Sequence, residues 1–190
     1  VLMNCRIFDK RPQKYEDKYG DDIAPFKRKI KAPLPHLEPA LKKYTLRALV
    51  VSGSELPDRN EASKLRKKRY AVRISIGIHE KITDFGVYRA GCTDWHTTLH
   101  MNDIDLPVDT SSLPDVFIYL VPENQIQHIC YQRISVEELL SVNSFENKAR
   151  WISLKEDKVI NALNDGEYPG QVLIKLGFGS AENARESKPQ

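Results

Sequence analysis

Cysteine is scarce in this chain, and long apolar runs are missing. Cys5, Cys92 and Cys130 are odd in number, unevenly spaced and without a C-x-x-C pair, which predicts reduced thiols in a cytosolic setting rather than a disulfide framework. No apolar stretch approaches the length needed to cross a bilayer, and the first residues lack the apolar core of a signal peptide. The chain begins at Val1 without an initiator Met, so we expect it to be a piece of a longer protein.

A strong charge of one sign is also missing. The net charge is only +3 over 190 residues, of which 41% are apolar and 29% charged. These values are typical of one folded domain and exclude wholesale disorder. The molecule as a whole is not a polycation, so any basic surface that selects a partner must be local.

The most informative stretch is residues 70–78. Bulky residues there alternate with small or polar ones, and a period of two puts the bulky set on one face of a β-strand. The bulky set is Tyr70, Val72, Ile74, Ile76 and Ile78. Directly before this strand lies the cationic run 64–69, so a strand that belongs in a core follows a loop that favours anions or water.

Further strands are predicted at 44–51, 79–88, 95–101, 115–121, 126–134, 151–154 and 172–178. The run 115–121 is apolar almost throughout, which predicts a strand covered on both faces. Residues 102–114 are predicted to form a polar connection. A Ser-x-x-Glu pattern at Ser135 predicts the start of a short helix. The pattern predicts an all-β fold, an antiparallel β-sandwich of seven or eight strands with one short helix.

The two ends of the chain differ from the middle. Residues 1–43 are basic and rich in proline, which favours an extended N-terminal arm or linker. We therefore predict an arm at 1–43, a sandwich at 44–180 and a disordered tail at 181–190.

The order of these motifs resembles two known patterns. The strand 44–51, the sequence Glu55-Leu56-Pro57, a long loop and the strand from Tyr70 resemble the opening of a C2-type β-sandwich. Residues 113–180 resemble the FerB region of ferlins. The motifs that carry this second resemblance are Leu113–Leu120, His128–Ser135, Trp151–Leu154 and Pro169–Gly179.

Ferlins are large, tail-anchored proteins with several C2 domains that act in vesicle trafficking and membrane fusion. The resemblance implies a non-catalytic C2-like module of a cytoplasmic, membrane-associated protein. It implies no activity for the segment alone.

Many C2 domains hold Ca²⁺ between loops with several carboxylates, because the ion needs six to eight oxygen ligands. Here only Asp58, with Glu61 nearby, matches that pattern. The family's Asp-Pro-Tyr position reads Lys68-Arg69-Tyr70, and its Asp-x-Asp position falls on Val121–Asn124. We therefore expect a calcium-independent module with no metal site.

The cationic loop is the candidate binding site. Its residues, with one cation of the following strand, are Lys64, Arg66, Lys67, Lys68, Arg69 and Arg73. Three interpretations remain open: a loop that is solvated or contacts other domains of the same protein, a patch that attaches to anionic phospholipid, or a nucleic-acid surface. Nucleic acid is disfavoured because only Tyr70 adjoins the run as a stacking platform. A purely structural scaffold domain is the alternative function.

No pattern indicates an enzyme, a cofactor or a small-molecule substrate. No nucleophile has an adjacent base, and Cys92 lacks a His partner by sequence. His96 and His100 lie four apart on a predicted strand, which does not bring two imidazoles to one helix face. Gly177-Phe178-Gly179 is predicted to be a strand end rather than a phosphate cradle.

Overall fold

The computed structural model describes residues 39–58, 68–123, 125, 127–140, 144–160, 162–163 and 166–186. Contacts divide the chain into two compact units, Val1–Glu38 and Pro39–Gln190. The first unit lies outside the described residues, so the predicted arm is described only from residue 39 onward. All elements below belong to the second unit.

The described part of the chain forms ten strands and two short α-helices. The strands are β1 (Leu41–Ser54), β2 (Arg69–Ile76), β3 (His79–Ile82), β4 (Gly86–Val87), β5 (Thr93–Pro107), β6 (Val116–Pro122), β7 (Cys130–Ile134), β8 (Arg150–Ser153), β9 (Lys155–Glu156) and β10 (Gln171–Ser180). The helices are α1 (Val136–Leu140) and α2 (Ala181–Glu186), and single 3₁₀ turns lie at Thr110–Ser112 and Ser144–Glu146.

The strands form two antiparallel sheets. The first sheet has the order β5-β1-β10-β8. The second has the order β3-β2-β6-β7-β9, with β4 paired to the start of β2. The predicted all-β sandwich is confirmed, and the strand that carries the 70–78 alternation lies inside the second sheet between β3 and β6.

The core lies between the two sheets. Val72, Ile74 and Ile76 of β2 are fully buried, and they face inward because the side chains of a strand alternate between its two faces. Leu46 of β1 and Ile174 of β10 meet them from the first sheet, at 0% and 1% exposure. One uninterrupted apolar cluster joins both sheets, as a sandwich requires.

The alternation of β2 ends one residue earlier than the sequence suggests. β2 stops at Ile76, Gly77 adopts a φ of +57°, and Ile78 is 94% exposed. A positive φ suits glycine, which has no Cβ to clash. The tight turn into β3 therefore removes Ile78 from the buried set.

The polar connection predicted at 102–114 is shorter than expected. β5 continues to Pro107, with Ile104 and Leu106 buried at 2% and 5% exposure. Asp103 has a φ of +54° within this strand, and the register with β1 shifts nearby. The bulge lets the strand continue through a polar stretch, because an extra residue re-aims the side chains that follow it.

The C-terminal segment also differs from the expectation. Where a disordered tail is predicted, residues 181–186 form helix α2, and Ala184 is buried against the first sheet. Arg47 of β1 donates a 2.7 Å hydrogen bond to the carbonyl oxygen of Ala184. A single buried side chain and one cation therefore stabilise a segment whose composition is polar. Among the described residues, no helix is long and apolar enough to cross a membrane.

Candidate functional site

The predicted basic site falls in two places. Lys68 and Arg69 lie at the start of β2, at the end of the sandwich where β1 finishes. Arg73 lies four residues further on, within the second sheet. The remaining predicted cations, Lys64, Arg66 and Lys67, lie outside the described residues. We call the end of the sandwich formed by residues 55–58, 68–70 and 123 the tip.

Lys68 forms an ion pair with Asp58 at the tip. Its ammonium group also lies 6.0 Å from the centre of the Tyr88 ring. Asp58 is the described carboxylate that matches the calcium-ligand pattern in the sequence, where no metal site is expected. Lys68, at the position of the aspartate in the C2 pattern that the sequence resembles, balances its negative charge.

Arg69 forms a second ion pair at the tip, with Glu123 at 3.1 Å. The same two residues are joined through their backbones, because the N–H of Glu123 donates a 3.1 Å hydrogen bond to the carbonyl oxygen of Arg69. Antiparallel pairing of β2 with β6 brings the start of one strand beside the end of the other. The register that builds the sheet therefore also builds this ion pair.

The tip is held to the sandwich by three hydrogen bonds, one of them buried. The hydroxyl of Tyr70 donates to the carbonyl oxygen of Pro57 at 2.9 Å. The indole N–H of Trp95 donates to the carbonyl oxygen of Tyr70 at 2.8 Å. The N–H of Leu56 donates to the carbonyl oxygen of Gly91 at 2.9 Å. Leu56, Pro57 and Tyr70, which form these bonds, lie close to residues 58 and 68. The bonds therefore fix the two segments that flank the cationic run.

The pKa of Tyr88 depends on the burial and charge of the tip. Burial, followed by the negative charge of Asp58, raises the pKa of Tyr88 above its ordinary value. Both effects disfavour the phenolate, the first by desolvation and the second by repulsion between like charges. Tyr88 is therefore a neutral phenol at physiological pH and a suitable aromatic partner for Lys68.

An open depression of about 710 Å³ adjoins the tip. Its walls are residues 55–58 and 166–168, and they include Glu55, Asp58 and Glu167. Gly170 brings the two walls together, because a Cβ at that position would lie 2.9 Å from the carbonyl oxygen of Glu55. Tyr168 in this wall is 74% exposed.

The described residues of the tip do not converge on one point as the carboxylates of a calcium site do. Among the described residues, no group of three or more His, Cys, Asp or Glu side chains could hold a metal ion. Asp58 and Glu123 are each engaged by a cation of the chain itself. A divalent ion at either carboxylate would have to displace that cation or approach it closely, which costs Coulomb energy.

Arg73 belongs to a different surface. Its guanidinium lies 5.0 Å from the centre of the Tyr119 ring, and Glu80 is 3.9 Å from its Nε. Tyr119 in turn stacks on Phe117, with ring centres 5.8 Å apart, and its ring lies 4.5 Å from that of His128 at a tilt of 44°. These side chains, with Tyr131, line the outer face of the second sheet, and we call them the aromatic row.

The aromatic row was missed by the sequence analysis. The apolar run 115–121 was interpreted as a strand covered on both faces, yet Phe117 and Tyr119 are only half-buried. Their spacing of two residues, at positions between aliphatic ones, is the signal that could have placed them on an outer face. Amphipathic Tyr side chains tolerate such a position because one edge stays in contact with water.

The residues considered for catalysis, metal binding or phosphate binding are spread over several elements, since Cys92 precedes β5, the two histidines lie on β5 and Gly177–Gly179 lie on β10. In the part of the chain that the structure describes, Cys92 is exposed, Cys130 is buried, and neither forms a disulfide. His96 and His100 are exposed on β5. Gly179 leaves room for Phe145, since a Cβ there would lie 2.8 Å from that ring. Gly179 thus serves packing at the strand end.

No protein-family model matches this chain, and no curated protein matches it. Solved structures do. The first C2 domain of a plant extended synaptotagmin 1 superposes with a TM-score of 0.51 at 13% identity, over 75% of this chain and 97% of that domain. The pair of C2 domains of extended synaptotagmin 2 superposes with a TM-score of 0.52 at 13% identity, over 86% of this chain and 46% of that one. The calcium-bound form of the same two domains gives 0.51 at 12%, over 87% of this chain and 49% of that one.

At these identities the likeness concerns the fold alone. The chain spans about half the length of the two-domain fragments and nearly all of the single C2 domain from the plant protein. Residues 39–186, where described, therefore have the fold of a C2 domain.

Proposed function

We propose that this chain is a non-catalytic, calcium-independent C2 module of a ferlin-type protein of membrane trafficking and fusion, and that it docks to anionic phospholipid through the basic loop at its tip. The observation that carries the calcium-independent part is the pairing of Asp58 with Lys68 and of Glu123 with Arg69. Cations of the chain occupy the place where a metal ion would bring positive charge.

Lipid docking is supported by the charge of the sequence between Asp58 and Lys68. Residues 59–67 carry four cations and one carboxylate, a net charge of +3. Each cation near an anionic surface contributes about 1 kcal/mol, and salt screens it. Lys68 and Arg69 add little to this attraction because carboxylates already balance them. The exposed Tyr168 beside the depression is the kind of aromatic side chain that sits at a membrane interface.

The test is sedimentation of the 190-residue chain with phosphatidylserine-containing vesicles at low and moderate salt. Binding should weaken as salt rises and should be unchanged by Ca²⁺ or a chelator. The variant with Arg66→Glu and Lys67→Glu should bind about tenfold more weakly or worse. The matched control reverses Lys42 and Lys43, an adjacent pair at the opposite end of β1, and should bind as the unmodified chain does. No sedimentation at low salt would contradict lipid docking.

A scaffold domain that braces neighbouring domains of the same protein is the second candidate. The observation that favours it is that Lys68, Arg69 and Arg73, the described members of the predicted basic site, each have a carboxylate within 4 Å. The Arg66→Glu and Lys67→Glu variant separates the two functions. Altered behaviour of the full-length protein with unchanged vesicle binding would support the scaffold.

A further inference from the structure

A cavity opens at one side edge of the sandwich, away from the tip residues. It has a volume of about 190 Å³ and lies between helix α1, the residues that precede β8, and the strands β8 and β10. We call it the edge cavity. Its apolar lining comes from core side chains that are 1–7% exposed: Leu139, Ile152, Ile174 and Leu176.

The topology explains why a gap remains there. β8 pairs only with residues 171–174 of β10, so the rest of β10 has no strand on that side among the described residues. Helix α1 covers the opening, but its five residues bury only Val136 and Leu139. A one-and-a-half-turn helix is too short to fill the space that a full strand would occupy.

The mouth of the edge cavity is polar and carries an excess of positive charge. Glu138, Asn147, Lys148 and Arg150 line it. Arg150 is paired with Glu138 at 2.8 Å. Lys148 has no ion pair with any described carboxylate, so one positive charge at the mouth is unbalanced.

We propose that the edge cavity binds a small amphipathic carboxylate, with its apolar chain against Leu139, Ile152, Ile174 and Leu176 and its anionic head at Lys148. The volume suits an apolar group a little larger than benzene, which an apolar cavity of about 150 Å³ takes up, so that the remainder of an amphipathic ligand would extend to the open mouth. Because the charge of Lys148 is unbalanced, the cavity should bind an anion more tightly than a neutral molecule with the same alkyl chain. No small-molecule substrate is predicted from the sequence, and the ligand proposed for the edge cavity is bound without turnover.

The test uses sodium octanoate as the probe and methyl NMR of the whole 190-residue chain as the readout. Octanoate should shift the methyl signals of Leu139, Ile152, Ile174 and Leu176 saturably, with a dissociation constant at or below about 1 mM. Neutral 1-octanol should bind about fivefold more weakly, because it lacks the charge that meets Lys148.

Two exposed lysines supply matched variants. Lys148→Glu should weaken octanoate binding about tenfold, whereas Lys42→Glu, far from the cavity on β1, should leave it unchanged. Ile152→Phe should fill the cavity and abolish binding; if that variant fails to fold, the lysine pair still decides. The inference is overturned if no saturable shift occurs up to about 10 mM, if octanol binds as well as octanoate, or if Lys148→Glu binds normally. None of these outcomes depends on vesicle binding, so the proposed function and this site fail separately.

Discussion

Among the side chains that hold the tip, we expect Trp95 to contribute most to its geometry. Its indole N–H donates to the Tyr70 carbonyl oxygen at 2.8 Å. Its ring fits against two glycines, since a Cβ at Gly53 would lie 2.9 Å from the indole and a Cβ at Gly86 would lie 3.1 Å from its nitrogen. Replacing Trp95 by Phe removes the donor and part of the ring while leaving an aromatic side chain in place.

The cost follows from these contacts. A lost hydrogen bond to a partly buried carbonyl costs about 1 kcal/mol, and the space left by the smaller ring adds a similar amount. We therefore expect Trp95→Phe to lower the free energy of unfolding by about 2 kcal/mol. In a domain of this size that corresponds to a fall in Tm of about 4–8 °C.

Urea unfolding followed by circular dichroism measures this change, and the chain supplies its own control. It has two tryptophans, and Trp151 is 47% exposed on β8. Trp151→Phe should change the free energy of unfolding by less than about 0.5 kcal/mol. Each variant keeps one tryptophan, so fluorescence gives a second readout. Equal costs for the two variants would refute the anchoring role of Trp95.

Three further predictions concern the core, the pH dependence and the C-terminal helix. Ile74→Ala should cost about 2–5 kcal/mol in urea unfolding, whereas Ile78→Ala, at a 94% exposed position, should cost less than about 0.5 kcal/mol; similar costs would contradict the end of β2 at Ile76. Burial raises the pKa of Asp157, but the N–H groups of Ile160 and Val159 and the His128 ring outweigh it and hold that pKa below its usual value. The ionised carboxylate of Asp157 therefore stabilises the fold above about pH 4, and this contribution is lost as the pH falls through the folded-state pKa. The Asp157→Asn variant lacks this carboxylate, so it should lose less stability than the unmodified chain between about pH 5 and pH 3. An identical loss in the two proteins would refute this role. Arg47→Ala should speed amide hydrogen exchange within Ala181–Glu186, because it removes the bond to Ala184, while Arg150→Ala, which breaks an exposed ion pair, should not.

The sandwich could be predicted from the sequence because its strands alternate strictly. Val72, Ile74 and Ile76 recur with period two and are buried as that period requires. The limits of the elements were less accessible. Ile78 continues the pattern but follows the turn at Gly77, and helix α2 is stabilised by a contact with Arg47 that lies 137 residues away in sequence. Local composition carries no information about such a partner.

The candidate site shows the same division. The sequence identified the cations and the missing acids of the tip, since both are matters of residue type at known spacing. It did not reveal that Lys68 meets Asp58 or that Arg69 meets Glu123, because the second pair depends on the register of β2 with β6. The aromatic row and the edge cavity arise from cross-strand neighbours and from the short reach of β8, which only the assembled sheets define.

Calorimetric titration of the 190-residue chain with Ca²⁺ tests the central claim most directly, which is that Lys68 and Arg69 pair with the carboxylates of the tip and leave no calcium site there. We predict no saturable heat up to about 1 mM Ca²⁺, because Asp58 and Glu123 at the tip are already paired with Lys68 and Arg69. A site with a dissociation constant in the micromolar range, lost on Asp58→Asn, would contradict this account.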